Sequence, residues 1–126
     1  MLRCASFLVL ALSLAMPVAA QLQRPFDQKA LRGTIVFGTP PQATLNGQPA
    51  RLAPGARVRD ESNLVQLPAT LAGRKAVVNY TTDLEGLLLD VWILTPQEQA
   101  KKPWPTTLQE AQRWVFDANA QAWVKR

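Results

Sequence analysis

Two apolar runs on either side of a polar tetrapeptide constrain the fold of this chain more than any other feature. Residues 76–95 read AVVNYTTDLEGLLLDVWILT, and both runs are rich in β-branched, aromatic and leucine side chains. Such residues suit a pleated, half-buried surface. Asp83 and Gly86 stand at the first and fourth positions of the tetrapeptide, where a type I turn favours them. The stretch therefore predicts a β-hairpin.

The register of this hairpin follows from the two-residue alternation of strands. One face of the second strand is wholly apolar and comprises Leu87, Leu89, Val91 and Ile93. A loop with an even number of residues pairs Tyr80 with Leu89 or Val91 and unites the apolar faces, whereas a three-residue loop ending on Gly86 mixes them. We therefore expect an even-length loop, with Tyr80 in the core.

The first 20 residues, MLRCASFLVLALSLAMPVAA, have the three-part plan of a secretory signal peptide. Arg3 supplies the basic start, residues 7–16 form an apolar run too short for a membrane span, and Val18 and Ala20 satisfy the small-residue rule. We expect cleavage after Ala20, no membrane span thereafter, and a location in the periplasm of a Gram-negative bacterium. Release from the cell is left open.

Cleavage at this position removes residues that several kinds of catalytic and metal site require. The chain has no histidine, one cysteine and two methionines, and Cys4, Met1 and Met16 all lie in the predicted signal peptide. The mature chain then has no disulfide, no thiolate or imidazole metal ligand, and no Ser-His or Cys-His nucleophile. Its formal charge falls from +5 to +4 with the loss of Arg3. We expect no catalytic, cofactor-binding or metal-binding residues, and no enzyme.

Turn signals between short apolar runs predict several more strands. A first strand spans residues 32–38, and Asn46-Gly47 predicts a type I′ hairpin turn. Ala53-Pro54-Gly55 predicts a further turn, after which residues 56–59 form a short strand. Five or six strands at this spacing indicate a mainly β fold, a small antiparallel OB-like barrel.

The region after the central hairpin begins with helix signals. Thr95-Pro96-Gln97-Glu98 is a capping box with proline at the first helical position, and Thr107 starts a second short helix. Residues 114–124 fit a helix or a hairpin, and we favour the hairpin because aromatic and β-branched residues flank a polar centre. We therefore divide the chain into a signal peptide (1–20), a polar lead-in (21–31), the barrel (32–95) and a C-terminal extension with short helices (96–126).

Several short motifs follow one another along the barrel region in an order that is found in a known group of domains. They are Gly33-Thr34-Ile35, Leu45-Asn46-Gly47, Pro54-Gly55-Ala56-Arg57-Val58, Leu71-Ala72-Gly73, Ala76-Val77-Val78 and Val91-Trp92-Ile93. In this order the chain resembles secreted bacterial domains of unknown function with an OB-like small barrel, over about residues 32–95. The resemblance implies a barrel fold and a secreted protein. It carries over no catalytic residue.

Acidic residues offer little sign of a catalytic or metal site. The close carboxylate pairs are Asp60-Glu61 and Asp83 with Glu85, and neither has the ligand density of a calcium loop. Both pairs fit turn formation better. We also expect Asn79 and Asp90 to face each other on the solvent side of the hairpin, without a catalytic role.

Basic and aromatic side chains offer two candidate surfaces. Arg57, Arg59, Arg74 and Lys75, with Arg51, could form a basic barrel face for an anionic glycan, a lipid head group or an acidic protein, or simply a solvated surface. Nucleic acid is disfavoured, because this region lacks exposed stacking aromatics. The tryptophans Trp104, Trp114 and Trp123 either cap the barrel as core or present a patch for a partner.

The sequence thus favours a non-enzymatic periplasmic barrel protein that binds or supports another cell-envelope component. A binder of anionic glycan or another polyanion through the basic strand face is the first alternative. A small enzyme based on carboxylates is the second.

Overall fold

The computed structural model of the protein describes residues 24–126. The strands are β1 (Leu31–Phe37), β2 (Gln42–Leu45), β3 (Gln48–Arg59), β4 (Val65–Gln66), β5 (Lys75–Thr82), β6 (Leu88–Ile93), β7 (Val115–Asp117) and β8 (Ala122–Val124). The α-helices are α1 (Pro96–Gln99) and α2 (Leu108–Arg113), and Pro68–Leu71 forms a 3₁₀ turn. The predicted signal peptide lies outside the described residues. Within residues 24–126, no helix has the length and apolar character needed to cross a bilayer.

Five strands close into a barrel, which confirms the predicted mainly β fold. Going round the barrel, β1 pairs with β2, β2 with β3, β3 with β6, β6 with β5, and β5 again with β1. Every pairing in the barrel is antiparallel, as predicted, except the parallel pairing of β3 with β6. The two-residue strand β4 adds to the outer edge of β3.

The turn between β2 and β3 follows the sequence prediction. Asn46 and Gly47 both have positive φ angles, of 51° and 79°, as a type I′ turn requires. The Asn46 side chain also accepts a hydrogen bond of 2.9 Å from the N–H of Thr34. The turn is thereby joined to β1.

The turn predicted at Ala53-Pro54-Gly55 is wrong, because β3 runs through these residues without ending. The register between β3 and β6 shifts between Leu52 and Arg57, and Gly55 in this interval has a φ of 77°. Because Pro54 lies inside the irregular interval, its missing N–H removes no regular ladder bond. Before this irregular interval β3 pairs with β2, and after it β3 pairs with β6 and β4.

The loop of the central hairpin also differs from the predicted even length. Asp83 donates its N–H to the Leu87 carbonyl and accepts from the N–H of Gly86, at 2.9 and 3.0 Å. Three residues, ending on Gly86, therefore form the loop. The Asp83 carboxylate accepts from the N–H groups of Glu85 and Leu87, and Gly86 has a φ of 81°. These local bonds stabilise the odd-length loop.

A bulge corrects the register that this loop sets. Thr82 pairs with Leu88, but two residues further from the loop Tyr80 pairs with Val91, so β6 contains one extra residue between them. The predicted Tyr80–Val91 pair is thus present. Near the tip, however, Leu88 is 1% exposed and Leu89 is 38% exposed, which reverses the predicted alternation. The extra residue is the reason.

The protein has two apolar clusters, one on each side of the β5–β6 ribbon. The barrel interior includes Ile35, Phe37, Val58, Val78, Tyr80, Leu88, Val91 and Ile93. The second, which we call the aromatic cluster, comprises Phe26, Ala30, Trp92, Leu94, Trp104 and Trp123. The lead-in and the C-terminal extension supply most of this cluster and so cover the outer face of the ribbon. The tail forms the predicted hairpin, with Phe116 opposite Trp123.

The covering segments explain why the prediction for Asn79 is wrong. Asn79 is completely buried, pairs with Trp92, and accepts a hydrogen bond of 3.1 Å from Arg32 Nε. Asp90 lies opposite Arg57 in the β3–β6 pairing, so the two polar residues do not face each other. We expected this side of the hairpin to face solvent. At Asn79 it is buried instead, because residues outside the barrel pack over it.

The Gly86→Ala variant tests the three-residue loop. Alanine at a φ of 81° is strained, so we expect a loss of about 1–2 kcal/mol in the free energy of unfolding, measured by urea denaturation. Leu84→Ala is the control in the same loop, because the Leu84 side chain is fully exposed. Equal effects of the two substitutions would contradict the loop geometry.

Candidate functional site

The first turn after the barrel is organised by a capping box that the sequence predicts. Thr95 Oγ1 accepts from the N–H of Glu98 at 3.2 Å, and Glu98 Oε1 accepts from the N–H of Thr95 at 2.9 Å. The reciprocal bonds satisfy two N–H groups at the start of α1. The same carboxylate has a second role, which the sequence pattern does not reveal.

Glu98 forms a buried ion pair with Arg24 of the lead-in. Arg24 Nε and Nη2 donate to the two Glu98 carboxylate oxygens at 2.9 and 2.6 Å. The remaining donors of Arg24 reach the carbonyls of Asp60 and Ile93 at 2.7 and 2.8 Å. The two side chains are only 6% and 12% exposed. One guanidinium thus links the lead-in, the end of β6, the turn after β3 and α1.

A second buried arginine holds the other end of the same helix. Arg32 donates from Nη2 to the Glu98 carbonyl at 3.1 Å and from Nη1 to the Lys101 carbonyl at 2.7 Å. Its guanidinium also lies 4.8 Å from the ring centre of Trp104. A cation at this end complements the helix dipole. Burial lowers the pKa of Arg32 to about 10, although the charge of Glu98 opposes the shift.

The carboxyl group of Glu98 has a lowered pKa despite its burial. Burial alone raises its pKa, but the hydrogen bonds from Arg24 and Thr95 and the positive charge of Arg24 outweigh that effect. The net result is a pKa below the ordinary glutamate value. The ion pair therefore stays charged at neutral pH.

The two acidic pairs singled out by the sequence form turns. Asp60 accepts from the N–H groups of Ser62 and Leu64 and from the Gln66 side chain, and the hydrogen bond from Leu64 is the main cause of its lowered pKa. Asp83 is similarly engaged within the hairpin loop. Residues 24–126 contain no cluster of three or more acidic residues placed to hold a metal ion.

The predicted basic face carries fewer unopposed charges than the sequence suggests. Arg57 has a 64% exposed side chain, but its Nε lies 3.8 Å from an Asp90 carboxylate oxygen. Arg74 forms an ion pair with Glu61, and Arg59 is half-buried. Lys75 is exposed next to Arg74. Carboxylates thus neutralise two of the four candidate cations.

The predicted tryptophan patch divides between core and surface. Trp104 and Trp123 are 5% and 6% exposed, with their rings 6.3 Å apart, so both belong to the core alternative. The Trp104 indole N–H donates to the Ala30 carbonyl at 3.0 Å. Only Trp114 is half-exposed, and the Lys125 ammonium lies 5.2 Å from the centre of its ring.

An open groove separates the barrel from the C-terminal extension, and we call it the barrel–tail groove. Its volume is about 820 Å³. The barrel side contributes Thr81, Leu89 and Asp90, and the extension contributes Leu108, Gln112, Trp114 and Val115. Leu108 and Val115 are 60% and 41% exposed. No single sequence motif spans these elements, so the groove could not be recognised from the sequence.

Comparison with models of protein families, with curated proteins and with solved structures finds no match to this chain. The resemblance to secreted bacterial small-barrel domains therefore stays a prediction.

The Glu98→Gln variant tests the buried ion pair. Removing the negative charge leaves the Arg24 guanidinium buried without its counter-ion, so we expect a loss of about 2 kcal/mol in the free energy of unfolding at pH 7. Glu110→Gln is the matched control, because Glu110 occupies the same N3 position after the Thr107 cap of α2 and forms no ion pair with an arginine of residues 24–126.

The stability lost in Glu98→Gln should depend on pH in a direction that follows from the pKa of Glu98. Because folding lowers the pKa of Glu98, its stabilisation is complete above the ordinary value of 4.5 and disappears as the pH falls through the lower folded value. The difference in unfolding free energy between wild type and Glu98→Gln should therefore narrow below about pH 4.5. A difference that stays constant down to pH 2.5 would contradict the charged pair.

Proposed function

We propose that this protein is a secreted, non-enzymatic binding module of the cell envelope, which holds a partner protein in the barrel–tail groove. One observation carries the proposal. Leu89, Leu108 and Val115 remain exposed along a single groove, although the barrel interior and the aromatic cluster both bury their apolar residues. Apolar surface that neither core uses is typical of interaction sites.

The composition of the groove supports a protein partner. Its exposed apolar side chains adjoin the half-buried Trp114, and tryptophan is enriched at the centres of protein interfaces. Asp27, Lys29 and Asp90 supply charges of both signs in the same lining. Mixed charges beside an apolar centre fit the polar rim of a protein interface better than a polyanion.

The chemistry of the remaining residues supports binding rather than catalysis. Asp60 and Asp83 accept hydrogen bonds from backbone N–H groups of their own turns. Glu98 is committed to Arg24. The histidine-free sequence, and a mature chain without cysteine if cleavage follows Ala20, support the same reading.

A co-purification experiment tests the proposal with a matched pair of variants. The mature protein, immobilised, should retain a protein from envelope extracts of its source cells in high salt. The double variant Leu108→Ser/Val115→Thr should retain about tenfold less, because it removes apolar contact from the groove. The control, Leu67→Ser/Val65→Thr, alters more exposed residues of the same types outside the groove and should behave as wild type.

Two outcomes would overturn the proposal. Equal retention by both double variants would show that the groove is not the binding surface. Retention abolished by salt, or by Arg57→Ala/Arg59→Ala alone, would favour polyanion binding through the basic strand face. Unchanged urea midpoints establish that the variants are folded.

A further inference from the structure

A second groove, also lined by Trp114, lies between the chain before α2 and strand β8. We call it the lysine–tryptophan groove, and its volume is about 840 Å³. It is lined by Arg32, Lys102, Pro103, Trp104, Thr106, Trp114, Trp123, Val124 and Lys125. Three of these residues are cations, and no aspartate or glutamate is among those that line it. In this respect it differs from both the barrel–tail groove and the basic strand face.

The cations of this groove have different roles. Arg32 is buried, and its donors are taken by Asn79 and by the carbonyls at the end of α1, so it contributes charge from the floor of the groove. Lys102 and Lys125 are exposed and form no ion pair with the described residues. Their ammonium groups are free to bind an anionic ligand.

Aromatic surface adjoins these charges directly. The Lys125 ammonium lies 5.2 Å from the ring centre of the half-exposed Trp114. Trp114 packs against the aromatic cluster, which contains Trp104 and Trp123. A ligand that fits must therefore offer negative charge and a flat apolar face within a short distance.

We propose that the lysine–tryptophan groove binds an anionic glycan whose sugar rings carry carboxylates. The C–H face of one ring packs on the exposed part of Trp114, while carboxylates of the glycan pair with Lys102 and Lys125. Single-stranded nucleic acid fits less well, because its sites generally use several open aromatic rings in succession, and Trp104 and Trp123 are buried. The site shares Trp114 and Trp123 with the barrel–tail groove but takes its ligand independently of the proposed protein partner.

Titration calorimetry with a hexamer of galacturonic acid tests this assignment. Wild type should bind the hexamer, and Lys102→Gln/Lys125→Gln should bind it about tenfold more weakly or worse, because two charge-assisted contacts are lost. Arg51→Gln/Lys75→Gln removes the same charge from residues outside the groove and should leave the affinity unchanged. A neutral hexamer of glucose should bind much more weakly than galacturonate.

The outcomes separate this proposal from its competitors. No binding of the galacturonate hexamer, or equal weakening in the two charge variants, overturns it, and so does tighter binding of a thymidine hexanucleotide. Leu108→Ser/Val115→Thr should keep full affinity for the hexamer while losing the protein partner. If one of the two sites fails its test, the test of the other site is therefore unaffected. Trp114 lines both grooves and is not used as a probe.

Discussion

The packing of the C-terminal extension on the barrel depends on a four-residue helix held by two buried arginines. A helix as short as α1 has no stability of its own in water. Arg24 pairs with Glu98 at its side, and Arg32 binds the carbonyls at its end, so the lead-in and β1 hold it from both directions. A buried pair of this kind contributes little net stability but is costly to break. Its main effect is to fix where the chain goes after the barrel.

The position of α1 determines how the second core is built. Because α1 sets the direction of the extension, Trp104 packs against both Phe26 and Trp123. The ring centres are 5.8 and 6.3 Å apart, and both pairs are edge-to-face. Trp92 presents the outer face of β6 to the same cluster. The β5–β6 ribbon is thus covered on both sides. Both grooves lie along the boundary of this covering layer, which is where its apolar and basic residues remain accessible.

Features that depend on a few neighbouring residues could be predicted from the sequence, and features that depend on distant contacts could not. The Asn46-Gly47 turn and the cap at Thr95 are local, and both are present. The burial of Asn79 depends on contacts distant in the sequence, such as that with Arg32 47 residues away, and its polar side chain alone indicates solvent. The register shift between Leu52 and Arg57 of β3 and the extra residue in β6 both interrupt the regular alternation. The candidate grooves join elements from three parts of the chain, so no motif marks them.

The aromatic cluster has a consequence for the order in which the molecule is completed. Phe26 packs on Trp104, and its N–H donates to the Gln121 side chain at 2.9 Å, so this contact spans nearly all of the described chain. The barrel strands end at Ile93, so the barrel can close while the tail is still being synthesised. Until Trp123 emerges, Phe26 and Trp92 lack part of their cover. During that interval the nascent chain exposes aromatic surface that is buried in the finished molecule.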